Sequence, residues 1–177
     1  MTALKELIAS GSFISAPGVF DPLSARVAEQ SGANALYMTG YGVSASLLGK
    51  PDAGFVSYRE MVDRVRAICE VTTVPLIADG DTGFGGLANV RQAVRGYENA
   101  GASAIQIEDQ EYPKRCGHTR NRKVITTEDM VRKIELACET RQSDTFLIVA
   151  RTDARTEHGL DEALSRAEAY RSAGADV

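Results

Sequence analysis

Two aspartates separated by a single residue are the first candidates for chemistry in this chain. Asp79 and Asp81 follow the apolar run at residues 74–78. Side chains at positions i and i+2 of an extended segment point the same way, and two carboxylates so close repel unless a cation or proton lies between them. Oxygen ligands suit Mg2+, with Mn2+ as a possible substitute. Glu108 ends a later apolar run and is a candidate to hold a metal-bound water, although a turn-capping aspartate pair is the structural alternative.

A second candidate segment, Lys114-Arg115-Cys116-Gly117-His118, combines cations with a thiol. Positive charges around a thiol lower its pKa and prepare it for proton transfer or nucleophilic attack. The same cations can hold a substrate carboxylate, and Gly117 gives the segment freedom to close as a lid. The alternative is a solvated basic loop with an incidental cysteine.

Two other strand ends carry groups that suit an anionic substrate. Arg151 ends the apolar run at residues 146–150, and an arginine there must find an anion because desolvation is costly. A substrate carboxylate, Asp153 or Glu108 are the possible partners. The segment Tyr37-Met38-Thr39-Gly40-Tyr41-Gly42 predicts a glycine-bearing loop that presents backbone N–H groups and a hydroxyl to a carboxylate. Asp52 lies in another loop, where an aspartate is structural more often than functional.

The glycine-rich segment at residues 83–88 fits the loose G-x-G-x-x-A pattern of dinucleotide-binding proteins. Asp79 and Asp81, however, stand between the predicted strand and these glycines, where a pyrophosphate would meet two negative charges. We therefore interpret the glycines as a tight loop beside the site and keep a dinucleotide-binding oxidoreductase only as the alternative from another class.

Short apolar runs alternate with segments of helical periodicity, and this alternation predicts the elements that position the candidates. The predicted strands are residues 13–17, 35–39, 74–79, 104–108 and 146–151, with a sixth beginning near Asp176. The predicted helices are residues 22–30, 59–71, 87–100, 127–141 and 160–173. Ser31-Gly32-Ala33, Ala100-Gly101-Ala102 and Ala173-Gly174-Ala175 each end a predicted helix, and their glycines fit a left-handed closing position.

Strict alternation of strand and helix predicts a parallel α/β fold in one domain spanning residues 1–177. An open doubly wound sheet and a closed (β/α)-barrel both fit the element count. Charged residues at successive strand ends favour the barrel, because its strands converge on one rim where active sites are built. The chain stops at the start of the predicted sixth strand. We therefore predict a (β/α)8 TIM barrel that is truncated after about five and a half strands.

The composition of the chain limits which classes of partner we expect for it. The chain has 177 residues, a formal net charge of -4 and 44% hydrophobic residues, so we expect no nucleic-acid or membrane partner. Its three cysteines, without a C-x-x-C pair, argue against a disulfide framework and indicate a reducing, cytoplasmic setting.

Several motifs in order resemble the isocitrate lyase/phosphoenolpyruvate mutase superfamily, from about Phe13 to the last residue. They are the Lys-Arg-Cys-Gly-His segment, Asp79-Gly80-Asp81-Thr82-Gly83-Phe84-Gly85, Glu108-Asp109-Gln110 and Ala150-Arg151-Thr152-Asp153-Ala154. The form of the thiol segment is similar to the lyase branch, which includes 2-methylisocitrate and 2,3-dimethylmalate lyases. The resemblance also supports the barrel over the open sheet.

The resemblance implies a role for each matching residue. Asp79 and Asp81 would hold Mg2+, Glu108 would reach it through water, and Asp52 would lie near it. The implied substrate contacts are Thr39, Gly40, Tyr41, Lys114, Cys116, Gly117, His118 and Arg151. Many members have Ser-Gly-Gly at the positions of Thr39, Gly40 and Tyr41, so Tyr41 departs from the common pattern. Cys116 would act as acid or base, and Tyr37 is a possible base for a substrate hydroxyl.

The implied activity is carbon–carbon cleavage of a 2-hydroxy di- or tricarboxylate into a 2-oxo acid such as pyruvate and a second carboxylate. Oxaloacetate decarboxylation or phosphonate P–C bond chemistry is the alternative within the superfamily. Members are usually tetramers whose last helix is exchanged between subunits, so we expect a homo-oligomer that acts on a small carboxylic acid.

Overall fold

A five-stranded parallel sheet, with its strands in chain order, forms the framework of the protein. The computed structural model describes residues 4–117, 119 and 121–177. The strands are β1 (Gly18–Val19), β2 (Leu36–Met38), β3 (Leu76–Asp79), β4 (Ala104–Glu108) and β5 (Leu147–Arg151). A doubly wound sheet reverses its strand order at a switch point, whereas here the order β1-β2-β3-β4-β5 runs without reversal. The predicted barrel-type arrangement is confirmed.

Helices pack on both faces of this sheet, most of them on the outer face. They are α1 (Leu4–Ala9), α2 (Pro22–Gln30), α3 (Gly40–Leu48), α4 (Tyr58–Cys69), α5 (Leu87–Asn99), α6 (Thr127–Thr140), α7 (Arg155–His158) and α8 (Leu160–Ser172). The main core lies between strand residues such as Ile105 and Ile148 and helix residues such as Val90 and Ile134. A smaller cluster on the other face joins Leu4 of α1 to Ala104 and Leu147. None of the helices in the described part of the chain has the length and hydropathy to cross a bilayer.

The helices predicted from periodicity are confirmed to within one or two residues at each end. In α2 the predicted start is confirmed in detail, because Asp21 Oδ1 accepts the Ser24 N–H at 2.7 Å and Pro22 is the first helical residue. Three helices were not predicted: α1, α3 and the four-residue α7. Helix α3 begins Gly-Tyr-Gly, and glycine has a low helix propensity that hides a helix from sequence analysis.

The predicted first strand is wrong. Only Gly18 and Val19 pair with β2, and residues 13–17 lie outside the sheet with Phe13 88% exposed. The apolar residues Phe13 and Ile14 suggested a buried strand, but burial depends on what the segment packs against. At the other edge, Asp176 and Val177 exchange backbone hydrogen bonds with Ile148 and Ala150 of β5, as expected for the start of a sixth strand.

The glycine-rich segment after β3 forms a tight loop, as the sequence indicated. Gly83, Phe84 and Gly85 all have positive φ, at 83°, 61° and 144°. The Gly83 N–H donates to Gly80 O at 2.9 Å, which closes the turn, and α5 begins directly after Gly86.

The three recurring glycines end their helices with positive φ, as predicted. Gly32, Gly101 and Gly174 have φ of 92°, 98° and 108°. In each case the next residue donates its N–H back into the last turn, for example Ala102 to Tyr97 O at 3.1 Å. This is the Schellman pattern of helix termination.

Replacing these glycines with alanine should destabilise the fold by different amounts. A Cβ at Gly32 meets nothing within 4 Å, whereas a Cβ at Gly101 would lie 3.1 Å from the Cβ of Cys69. Gly32→Ala should cost about 1 kcal/mol from backbone strain alone, and Gly101→Ala should cost more. Urea denaturation measures both free energies of unfolding, and an equal or smaller loss for Gly101→Ala would contradict the argument.

Candidate active site

The functional candidates converge at the carboxyl edge of the sheet. Asp79 ends β3, Glu108 ends β4 and Arg151 ends β5. Glu108 is in register with Arg151, and the Glu108 N–H donates to Asp81 O at 2.8 Å. Parallel strands in consecutive order bring these side chains, which lie far apart in sequence, to one edge.

The two aspartates are both buried, but they do not share an extended segment. Asp79 is the last residue of β3, and Asp81 has a left-handed backbone with φ of 49°. The prediction that both side chains point the same way because they lie on a strand is therefore wrong in its geometry. Asp79 Oδ1 instead accepts the Asp81 N–H at 3.0 Å, which fixes the turn between them.

Asp79 also holds the beginning of α3. Its Oδ2 accepts the Gly40 N–H at 3.0 Å, and a Cβ on Gly40 would lie 2.8 Å from that oxygen. Helix N-termini favour a negative charge, so the carboxylate and the helix stabilise each other. The N–H predicted to contact a substrate carboxylate is thus bonded to a carboxylate of the protein itself.

Lys114 lies between two aspartates rather than beside the thiol alone. Its Nζ is 2.6 Å from Asp81 Oδ1 and 2.6 Å from Asp52 Oδ2, and the side chain is buried. Burial opposes its charge, but Asp81 and Asp79 outweigh burial and raise the pKa of Lys114. Lys114 was predicted as a substrate contact and thiol activator; in this structure its charge neutralises the acidic pair, and its role toward a substrate stays a prediction. Asp52, which the family resemblance places near the metal, is joined to the acidic pair through this lysine.

Asp79, Asp81 and Asp52 form the acidic half of the site, and together they carry more negative charge than the nearby Lys114 neutralises. Burial, followed by repulsion from Asp79, raises the pKa of Asp81 to about 7 despite the nearby ammonium. Asp81 Oδ1 is buried and, although Lys114 is close, lacks a partner with hydrogen-bond geometry among the residues that the structure describes. A buried carboxylate oxygen without such a partner is costly and is suited to a cation.

The donor set fits Mg2+ in particular. Asp79, Asp81, Asp52 and Glu108 offer only oxygen atoms, which a hard divalent cation prefers. Within residues 4–117, 119 and 121–177, no three His, Cys, Asp or Glu side chains form a set that could hold a metal by themselves. Mg2+ usually takes one or two carboxylates and keeps several waters, so it needs no such complete set.

Glu108 and Arg151 form the other half of the site. Arg151 Nη1 is 3.3 Å from Glu108 Oε2, and its Nη2 is 2.9 Å from Asp153 Oδ1. Burial raises the pKa of Glu108 to about 9, even though Arg151 acts in the opposite direction. Gln110 Nε2 donates to Glu108 Oε1 and to Asp153 Oδ2, both at 2.9 Å, and so ties the two acids together. Arg151 remains about a third exposed, so one side is open to a ligand.

The thiol segment lies over Arg151. A Cβ on Gly117 would lie 2.1 Å from Arg151 Nη2, so only glycine allows this approach. Cys116 is half-buried next to it. Arg122 fastens the segment by donating to the carbonyls of Gly117 and Thr119 and to the Thr156 hydroxyl. His118, predicted to bind substrate, lies outside the described residues.

The residues at the end of β2 take local structural roles. Thr39 Oγ1 accepts the Gly42 N–H at 2.8 Å and caps α3, and Tyr41 is 59% exposed on that helix. The loop predicted here is therefore a helix start. The Tyr37 hydroxyl accepts a hydrogen bond from Gln106 Nε2 at 2.7 Å. Burial and then Asp79 raise the pKa of Tyr37 in the metal-free protein, while the base role predicted for this phenol stays a prediction.

Sequence reasoning gave no role to three buried polar residues that support the site: Asp109, Gln110 and Arg122. Asp109 and Gln110 belong to a motif that carries the family resemblance, so their position at a strand end was an available signal. Arg122 had no such signal, because its contacts with Thr156 and Asp153 form only in the fold. Asp153 was one of the partners expected for Arg151, and the structure confirms that contact.

Comparisons with known proteins agree with this geometry. The family model for phosphoenolpyruvate phosphomutase matches residues 4–177. The chain is 51% identical to 2,3-dimethylmalate lyase of Eubacterium barkeri, over 98% of this chain and 60% of the relative. It is 47% identical to 2-methylisocitrate lyase of Aeropyrum pernix, over 98% of this chain and 56% of the relative. The chain therefore spans less than two thirds of the length of these relatives.

A solved structure adds a similar fold with bound ligands. The crystal structure of a phosphonopyruvate hydrolase in complex with oxalate and Mg2+ superimposes with a TM-score of 0.90 at 37% sequence identity. The match covers 98% of this chain and 59% of the hydrolase.

Glu108→Gln should stabilise the metal-free protein, and more so as the pH rises. Burial raises the pKa of Glu108 from its ordinary value of 4.5 to about 9 in the folded protein. Between these values the folded state holds a proton that the unfolded state has lost, so stability falls with increasing pH. Glutamine mimics the protonated acid and should remove this loss, which amounts to on the order of 1–3 kcal/mol between pH 6 and 8.

Urea denaturation at several pH values in the presence of a chelator measures this difference. The matched control is Glu111→Gln, because Glu111 is exposed. A Glu108→Gln protein with the same pH slope as the unmodified protein would show that Glu108 is ionised in the fold.

Proposed function

Because the chain belongs to the phosphoenolpyruvate mutase/isocitrate lyase superfamily, we propose that the whole protein is a Mg2+-dependent carbon–carbon lyase. Its proposed substrate is a 2-hydroxy di- or tricarboxylate of the 2,3-dimethylmalate or 2-methylisocitrate type. Cleavage would give a 2-oxo acid such as pyruvate and a second carboxylate. The identities to two lyases support this choice over the other chemistries of the superfamily.

The observation that carries the proposal is the division of the site into two oppositely charged halves. Buried Asp79 and Asp81, together with the partly buried Asp52, form an acidic half that suits a cation. Arg151, partly exposed and covered by Gly117, forms a cationic half. A polyanionic hydroxy acid needs both, since its hydroxyl oxygen can bind a cation while a distant carboxylate binds the arginine.

Asp79 and Asp81 are the proposed residues that hold Mg2+, or Mn2+ in its place, with Glu108 acting through water and Asp52 close by. When bound, the ion supplies Lewis-acid stabilisation of negative charge on a substrate oxygen. Lys114 would then keep its contact with Asp52 and balance the remaining negative charge.

The chain's own residues supply binding and proton transfer. Arg151 binds a substrate carboxylate, and the negative charge that develops on the departing fragment is stabilised by this preset cation. The Cys116 thiol donates a proton to the departing carbon. Tyr37 is the proposed base for the substrate hydroxyl, and over one turnover the proton that it takes from that oxygen replaces the one that Cys116 gives to the carbon. Thr39 and Tyr41 remain proposed contacts near the substrate, as do Gly117 and His118 of the covering segment.

The whole protein is also proposed to be a homotetramer that exchanges its C-terminal helix between subunits and acts in the cytoplasm. The tetramer rests on the family resemblance, and the cytoplasmic setting rests on the three cysteines without a C-x-x-C pair.

Cys116→Ala should lower turnover of 2,3-dimethylmalate or 2-methylisocitrate by about 10²–10⁴-fold, the range for loss of a positioned acid or base. Release of pyruvate from a panel of acids that includes oxaloacetate and phosphonopyruvate measures the activity. Cys138→Ala is the control, because Cys138 lies on α6 and packs against the core. Unchanged turnover for Cys116→Ala would remove the thiol from the reaction, and turnover of oxaloacetate alone would replace the lyase with the superfamily alternative.

Asp81→Asn should weaken binding of Mn2+ or Mg2+ by at least about tenfold, since one anionic ligand is lost. Asp63→Asn, on the exposed surface of α4, should leave affinity unchanged. Isothermal titration of the metal into chelator-treated protein measures affinity without reference to turnover. Equal affinity for both variants would place the metal elsewhere.

A further inference from the structure

We propose that Asp109 is a positioning residue that sets the orientation of Arg151 for the substrate carboxylate. This inference rests on the proposed function, because it assigns Arg151 to substrate binding. Asp109 follows Glu108 directly and is fully buried, and among the described residues its side-chain hydrogen bonds go to Thr152, Asp153, Arg166 and Tyr170.

Asp109 holds the chain directly after Arg151 at three points. Its Oδ2 accepts the Thr152 hydroxyl at 2.7 Å, and its Oδ1 accepts the Asp153 N–H at 2.9 Å. Its own N–H donates to Arg151 O at 3.2 Å. The residue directly after β4 thus fixes the backbone from position 151 to position 153.

Asp153 passes this constraint on to the guanidinium. Its Oδ1 lies 2.9 Å from Arg151 Nη2, while Gln110 holds its other oxygen. Gly117 lies against the same guanidinium nitrogen. A rotation of the backbone at Asp153 would therefore move Arg151 against Gly117 or away from it.

Helix α8 fixes Asp109 from the other side. Arg166 Nη1 lies 3.2 Å from Asp109 Oδ2, and the Tyr170 hydroxyl donates to the same oxygen at 2.8 Å. Arg166 also donates to Ile125 O at 2.9 Å. The carboxylate is thus paired with a buried cation and anchored to the outer helix layer, which leaves it little freedom to move.

Only a carboxylate satisfies this set of partners. All four side-chain contacts of Asp109 come from donors, and two of those donors, the Asp153 N–H and the Arg166 guanidinium, cannot accept a hydrogen bond. An asparagine would have to turn its NH2 toward one of these two. Either orientation breaks a contact that the carboxylate makes, although the size of the side chain is unchanged.

Asp109→Asn should raise the dissociation constant of oxalate in the presence of Mg2+ and the KM of the lyase substrate by at least about tenfold. The change in kcat should be smaller than the change in KM, because the substitution misplaces a binding group. Calorimetry with oxalate and steady-state kinetics on folded protein measure the two effects. Arg151→Lys provides the reference for a lost guanidinium contact.

Tyr170→Phe is the matched control, since it removes one donor to Asp109 from the side of α8. It should lower the Tm but leave the oxalate affinity and KM within about twofold. A purely structural role would instead give both variants the same pattern: a lower Tm with unchanged affinity. If Asp109→Asn lowers the Tm but leaves oxalate affinity and KM unchanged, while Arg151→Lys weakens both, the positioning role is overturned and the proposed function is intact.

Two further outcomes are informative. If Asp109→Asn does not fold, Thr152→Val tests the same link with a milder change. A rise of about threefold or more in KM would support the link, and an unchanged KM would contradict it. If Arg151→Lys alters neither oxalate binding nor KM, the substrate role of Arg151 fails first, and the positioning inference fails with it.

Discussion

Desolvation of neighbouring carboxylates is the constraint on which the site depends. Asp79, Asp81 and Glu108 are each less than a tenth exposed, at the ends of adjacent strands. Burial of an ionised carboxylate is expensive, and proximity of like charges adds to the expense. The protein meets this cost with Lys114 on one side and Arg151 on the other. A site arranged in this way binds a cation readily, since the cation relieves a repulsion that already exists.

The same constraint explains why glycine occurs at two close approaches. Gly40 lets the start of α3 reach the Asp79 carboxylate, so a backbone N–H relieves part of the buried charge. Gly117 lets the thiol segment reach Arg151. A side chain at either position would separate a charged group from the partner that compensates for it. In this site, compensation of a buried charge therefore requires the backbone to approach that charge closely.

The site is tied to the outer helices through a second buried layer. Asp109 links the ends of β4 and β5 to Arg166 and Tyr170 of α8. Gln110 links Glu108 to Asp153 within the same layer. Donors satisfy every side-chain oxygen of Asp109, so this layer resists rearrangement more than the acidic half does. A rigid support beneath the charged site would hold the binding groups in place while the proposed cation and substrate bind and leave.

The sequence by itself determined the elements and the strand ends. Apolar periodicity, the Asp21 cap and the closing glycines act within a few residues of the chain, so α2 and the strand β4 followed from local rules. The charged strand ends at Asp79, Glu108 and Arg151 were equally visible, because parallel strands must meet at one edge. The first strand and α3 were missed, since one depends on what it packs against and the other begins with glycines.

Only the tertiary structure decided which charges meet. Lys114 was expected near the thiol, its neighbour in sequence, yet its ammonium lies on Asp52, 62 positions away, and on Asp81. Only the fold shows that Tyr37 is buried close to Asp79, which raises its pKa. Asp109 gained its role only when β4, β5 and α8 came together. The physical reason is that desolvation and charge pairing depend on distance in space and on burial, and neither exists until the sheet and its helices have packed.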